Sequence, residues 1–150
     1  MNPNQARLPS AERQHETPRH PGIEVLHHTD LSRVGQVTPE GLFEHDDTII
    51  VGRREPPFRD PGDEGAGRPL EDPFVSREQL FVTWRAFLKR FEVRSTGRAE
   101  VSIIASPGAT PVPLTDPAWV EPGTMLAIGD RVLLRLFWRP RRAVGAARLG

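Results

Sequence analysis

Met125-Leu126-Ala127-Ile128-Gly129-Asp130-Arg131-Val132-Leu133-Leu134-Arg135-Leu136-Phe137-Trp138 reads as two strands and the turn between them. Met125 to Ile128 is short and apolar, and Gly129-Asp130 suits a turn that needs positive φ. From Arg131 onward the chain alternates. Val132, Leu134, Leu136 and Trp138 share one face, and Arg131, Leu133, Arg135, Phe137 and Arg139 take the other. A period of two sustained from Arg131 to Arg139 predicts a strand, because a helix would scatter these residues around its axis.

Upstream stretches repeat the theme. Ile23, Val25 and His27 alternate with Glu24 and Leu26, and Thr48-Ile49-Ile50-Val51 is a β-branched run that stops at Gly52. Leu80 to Trp84 and Leu88 to Val93 lie within hairpin distance across Arg85-Ala86, and Val101 to Ala105 ends at Ser106-Pro107-Gly108. The 16 prolines and 13 glycines among 150 residues leave few stretches long enough for a helix of several turns. No helix-start signal precedes an amphipathic run, and there is no internal repeat. The expectation is an all-β fold, an antiparallel β-sandwich of about 10–11 short strands.

The length fits one domain. Residues 1–21 are polar and proline-rich and are expected to be a disordered tail, 22–139 the folded unit, and 140–150 a basic tail or linker. The 20 basic and 20 acidic side chains balance, which argues against a nucleic-acid or membrane partner for this domain. Without cysteine there are no disulfides or thiolate metal sites. The five histidines all lie in the first third, and His27 and His28 would point to opposite faces of a strand, so neither metal nor cofactor is expected. No apolar run has the length of a membrane span, and the expected location is the cytoplasm.

Chemistry gathers in three pieces taken in order: Val51-Gly52-Arg53, then Leu70-Glu71-Asp72-Pro73-Phe74-Val75-Ser76-Arg77-Glu78-Gln79, then Leu126-Ala127-Ile128-Gly129-Asp130-Arg131-Val132. The loop Arg54 to Pro69, with four prolines and three glycines, separates the first two and would shape the rim of a site. A phosphate dianion needs charged or oriented donors. Arg53 offers a planar five-donor fork and Ser76 a hydroxyl that rotates to suit. Arg77 adds a second fork; its alternative is structural, its stem over Phe74 and its head paired with Glu71 or Asp72.

Together the three pieces resemble a forkhead-associated (FHA) domain. That family's pattern is Gly-Arg after an early strand, Asp-x-x-Val-Ser-Arg-x-His, Asn-Gly-x-x-Val, and Leu-x-x-Gly-Asp-x-Ile. The resemblance covers roughly residues 23 to 138, and it implies an FHA/SMAD-like β-sandwich that binds phosphothreonine peptides through loops at one end. Carried onto matching positions, it makes Arg53, Ser76 and Arg77 phosphopeptide-binding residues. Gln79 stands where the family has His. The family Asn is absent from Arg94-Ser95-Thr96-Gly97-Arg98-Ala99-Glu100-Val101, where Thr96 is the candidate substitute.

The implied function is a non-enzymatic, phosphothreonine-dependent interaction module. Its partners would be a phosphothreonine-containing protein or peptide and, upstream, a Ser/Thr kinase. FHA domains resembling this one precede the ATPase domain of bacterial sigma-54-dependent transcriptional activators, and a basic composition that is almost all arginine, with Lys89 the only lysine, fits a GC-rich bacterial genome. The competing reading is a degenerate FHA-like domain that serves as a phosphorylation-independent protein–protein or dimerisation surface. Hydrolysis by Ser76 lacks support: no Gly-x-Ser-x-Gly elbow surrounds it and no histidine follows it.

Overall fold

A computed structural model describes residues 18–43 and 46–141 of the chain. Its strands are β1 (Arg19–His27), β2 (Thr48–Val51), β3 (Leu80–Arg85), β4 (Arg90–Ser95), β5 (Val101–Ile104), β6 (Val112–Pro113), β7 (Ala118–Val120), β8 (Met125–Ile128) and β9 (Val132–Pro140). One sheet has the order β1-β9-β8-β5-β6 and the other β2-β3-β4-β7, with every neighbour antiparallel. The fold is thus the all-β antiparallel sandwich that the alternation predicts. Nine strands stand among the described residues, and isolated bridges join Glu24 to Val37, Val37 to Arg59 and Phe58 to Arg68. The helical content of these residues is one 3-10 turn, Leu31–Arg33, which the Asp30 side chain caps through Ser32 N. None of their helices is long and apolar enough to cross a membrane.

The core is the space between the inner faces. Ile23, Val25, Leu126, Ile128, Leu134 and Leu136 fill it from one sheet, and Val51, Leu80, Val82, Phe91 and Val93 from the other. Each such side chain contributes about 1.5–3 kcal/mol by leaving water. Within β9, Val132, Leu134 and Leu136 are buried as expected, and Trp138 packs at the margin with Arg19 and Lys89 over its ring. Phe137, on the opposite face, is also buried, because Gly22 pairs with it across β1 and leaves room that a Cβ would fill.

Three boundaries differ from the sequence expectation. β1 begins at Arg19, so residues 19 to 21 pair with Pro140, Arg139 and Trp138 instead of belonging to the tail. Residues 1–17 and 142–150 lie outside the described residues, and so do the disorder and linker expectations placed on them. β9 begins at Val132, which closes the hairpin against Ile128, so Arg131 belongs to the turn. His28 lies one residue past β1 and is buried. Its Nε2–H donates to Leu70 O at 2.8 Å and its Nδ1 accepts from Asp30 N at 2.9 Å.

The loop between β2 and β3 is more firmly built than its composition suggests. Phe58 drops fully into the core, and its backbone exchanges two hydrogen bonds with Arg68, at 2.8 and 2.9 Å. Arg59 exchanges another pair with Val37. Apart from Arg54 and Glu55, the exposed part of the loop is thereby confined to residues 60–68.

Candidate functional site

Strand register brings the chemistry together. Val51 pairs with Leu80, and Leu80 with Ser95, so the end of β2, the entry to β3 and the exit of β4 lie side by side. The chain adjoining each of these points forms one end of the sandwich: Gly52-Arg53 after β2, the 72–79 turn before β3 and the Thr96–Ala99 loop after β4.

Gln79 fastens the three segments. It is fully buried, its Oε1 accepts from Ser76 N at 3.0 Å, and its Nε2 donates to Ala99 O at 2.9 Å. Its backbone N–H donates to Val51 O, and its carbonyl accepts from Thr96 N and Gly97 N. A side-chain amide carries both a donor and an acceptor, so Gln79 makes both bridges. Gly52 supplies the close contact: a Cβ there would sit 1.8 Å from the carbonyl oxygen of Arg77.

Each of the expected residues lies in this cluster. Arg53 N–H donates to Ser76 O at 3.0 Å, which joins the two loops through the backbone. The Arg53 guanidinium is partly exposed and makes one long hydrogen bond, Nη1 to Pro73 O at 3.4 Å. It forms no ion pair among the described residues. Ser76 Oγ accepts from Arg98 N at 3.0 Å, and its own proton has no acceptor among the described residues. Thr96 Oγ1 donates to Glu78 O at 2.7 Å, so its proton is already taken. Arg77 is exposed, and its guanidinium has neither an ion pair nor a hydrogen bond among the described residues.

The structural role considered for Arg77 belongs to Arg131. Arg131 Nε donates to both Asp72 oxygens, at 3.0 and 3.1 Å, and its guanidinium lies 5.6 Å from the Phe74 ring centroid. Because it sits in a turn, Arg131 is free of the β-ladder and can reach across to the 72–79 segment. Asp72 is buried and also accepts from Phe74 N at 2.8 Å and Thr29 Oγ1 at 3.3 Å. Burial alone would raise its carboxyl pKa, but Arg131 and the Phe74 and Thr29 donors together hold it below the ordinary carboxylate range. A depressed folded pKa stabilises above the unfolded value and loses that contribution as pH falls through the folded one. In chemical denaturation, Asp72→Asn is expected to cost about 2 kcal/mol at pH 7. Its deficit against the parent should shrink steadily as both proteins are taken below about pH 4.

A second brace holds the same turn from beneath. Arg33 is buried, and its guanidinium donates to Gln36 Oε1 at 2.6 Å, Arg68 O at 2.8 Å and Leu70 O at 3.3 Å. Burial, then the nearby Arg68 cation, lowers its pKa. With His28 on the same Leu70 carbonyl, this side chain fixes the strap leading into Asp72.

Sequence reasoning missed Arg98, Arg131 and Phe74 as parts of this end. Arg98 holds Ser76 through its backbone, and its guanidinium has no ion pair among the described residues. The sequence Arg94 to Val101 shows an arginine close to Thr96, but residue type alone does not say which backbone N–H meets the Ser76 hydroxyl. No group of His, Asp and Glu able to hold a metal occurs among the described residues. A cavity of about 220 Å³ opens between Phe81, Thr83, Arg94 and Pro117 on the outer face of the four-stranded sheet, and none of the cluster residues lines it.

No family model matches the sequence, and no curated protein matches it. Solved structures do. The chain is similar to the FHA domain of human APLF in complex with an XRCC1 bisphospho peptide, with TM-score 0.53 at 14% identity over 79% of this chain and 97% of that one. It is similar to an FHA domain of a hypothetical Arabidopsis thaliana protein, with TM-score 0.54 at 11% identity over 85% and 92%. It also resembles the kinase-interacting FHA domain of the Arabidopsis kinase-associated protein phosphatase, with TM-score 0.53 at 13% identity over 85% and 100%. The two-sheet antiparallel sandwich is therefore the fold seen in these FHA domains.

Proposed function

We propose that this chain is a phosphothreonine-dependent protein-interaction module whose phosphate contacts are Arg53 and Ser76, with Arg77 assisting. The observation that carries the reading is the uncommitted donor capacity of Arg53 and Ser76 on loops tied backbone to backbone. A phosphate dianion only accepts hydrogen bonds, so what matters at such a site is the number of free N–H and O–H groups. The guanidinium has four of its five donors free among the described residues, and the Ser76 hydroxyl keeps its proton because it accepts from Arg98. The similar FHA domain of human APLF carries a bisphospho peptide, and the kinase-associated phosphatase domain is described as kinase-interacting. Both fit the same class of partner.

The two hydroxyls of the site should behave differently. Ser76→Ala is expected to weaken a phosphothreonine peptide about tenfold, the worth of one charge-assisted bond. Thr96→Val should change affinity by less than about threefold, since the Thr96 proton serves Glu78 O. Calorimetric titration of each variant with a phosphothreonine peptide and its unphosphorylated twin measures both. Equal affinity of the parent protein for the twins would remove the reading.

The FHA resemblance extends the proposal: the module receives Ser/Thr kinase signalling in the cytoplasm, in a bacterial transcriptional regulator of the sigma-54-dependent kind, and performs no catalysis itself. Co-purification of a kinase-phosphorylated partner that is lost on phosphatase treatment tests the signalling part. A second reading, a phosphorylation-independent interaction surface, is favoured by one observation: no asparagine stands in the 96–99 loop and the Thr96 hydroxyl is spoken for. Partner binding or self-association indifferent to Arg53→Ala would select it.

A further inference from the structure

Phe74 is 50% exposed but tightly held. Its N–H is bonded to Asp72, its ring lies so close over Gly129 that a Cβ there would come within 2.8 Å of Cε1, and the Asp72-bound Arg131 guanidinium is beside it. The ring is thus clamped by the β8–β9 turn, and half of its surface remains uncovered. Its place in the chain is equally specific. Arg53 touches Ser76 through its backbone and Pro73 through its guanidinium, so the arginine brackets the four residues 73–76 that contain Phe74. Phe87, 95% exposed on the β3–β4 hairpin, has no such relation: it lies beyond Arg85 and Arg90, at the other end of those strands.

We propose that Phe74 is a specificity-determining residue of this site, its uncovered ring receiving an apolar side chain that flanks the phosphothreonine in the bound peptide. The inference rests on the phosphothreonine reading given above. An uncovered ring offers apolar contact and no hydrogen bond, so a flanking acid gains nothing from Phe74 itself, and any attraction to the nearby arginines would persist whatever side chain stands at position 74. A flanking cation would meet Arg53 and Arg77 as like charges. An aliphatic or aromatic residue alone gains from covering it, and the clamp means that little side-chain freedom is lost on binding.

An oriented phosphothreonine peptide library with degenerate flanks, passed over the immobilised full chain, tests this. The parent should enrich Leu, Ile, Val, Met or Phe at one flanking position, about fivefold to tenfold. Phe74→Ser should erase that enrichment while still retaining phosphorylated over unphosphorylated peptides, and Phe74→Leu should restore it. Should the serine variant melt early, Phe74→Gln removes the apolar surface at similar length and must show the same loss. If the parent shows no apolar enrichment, or the polar variants keep it, the Phe74 contact is wrong while phosphothreonine binding stands. If the parent retains phosphorylated and unphosphorylated pools alike, both readings fall together.

Discussion

Arg53→Ala is expected to abolish measurable binding of phosphothreonine peptides, a loss of about a hundredfold or more, while leaving the melting temperature nearly unchanged. The two halves of this expectation have separate physical causes. A guanidinium facing a phosphate makes paired charge-assisted hydrogen bonds, each worth roughly 1.5–3 kcal/mol, and truncation to Ala removes the whole fork. In the free protein the same side chain is partly exposed, forms no ion pair among the described residues and makes a single 3.4 Å bond to Pro73 O. Its backbone bond to Ser76 O survives any substitution. Surface truncations of this kind shift stability by about 0.5 kcal/mol or less. Arg53→Lys should fall between, since a lysine keeps the charge but cannot reproduce the planar fork. Fluorescence anisotropy with a labelled phosphothreonine library, alongside a thermal melt, reads both quantities. An Arg53→Ala protein that still discriminates phosphorylated from unphosphorylated peptide would transfer the role to Arg77 or Arg98, the other arginines of this end without an ion pair among the described residues.

The sandwich was legible because its signals are local. The alternation from Val132 to Trp138, the β-branched run Thr48 to Val51 and the Gly129-Asp130 turn each declare themselves within a few residues, and Gly129 does adopt φ 56°. What escaped depends on residues far apart in the chain. Phe137 is buried because Gly22 faces it, and Phe58 is buried although its own loop is rich in proline, glycine and charge. Arg131 follows the alternating pattern as well as Arg135 does, yet it lies in the turn, from which it reaches an aspartate 59 positions away in the chain. The same division runs through the site. Arg53, Ser76 and Arg77 could be picked out by residue type together with the FHA resemblance, and Thr96 through that resemblance alone. The direction of each hydroxyl proton could not, since Ser76 accepts from Arg98 and Thr96 donates to Glu78 only once three loops have been folded against Gln79. Gln79 was legible only as the residue standing where the family has His, and the structure shows its amide accepting one bond and donating another.

Gly52→Ala is expected to be the most disruptive single substitution at this end, costing about 3 kcal/mol or more of stability and on the order of 10 °C in Tm. The reason is the identity of what the new methyl would meet. Its nearest neighbours would be the Arg77 carbonyl oxygen at 1.8 Å, the Arg77 carbonyl carbon at 2.5 Å and the Ser76 carbonyl oxygen at 2.7 Å. All three are backbone atoms, and none can be moved by a rotamer change. Relief requires the β2 exit and the 76–77 segment to separate, and the bonds that hold them are the ones that would stretch: Arg53 N to Ser76 O and Gln79 N to Val51 O. Opening them would leave buried donors unpaired, which adds to the steric cost. It would also move Arg53 away from Ser76. Binding should therefore fail in Gly52→Ala even at temperatures where the variant is fully folded. Arg53→Ala, by contrast, should lose binding with its stability intact. Comparing the two by thermal melts and phosphopeptide titration at low temperature separates the loss of a donor from the loss of the spacing between donors. A Gly52→Ala protein with parental stability would mean that the two loops are not packed backbone to backbone, and the geometry on which phosphate capture depends would have to be abandoned.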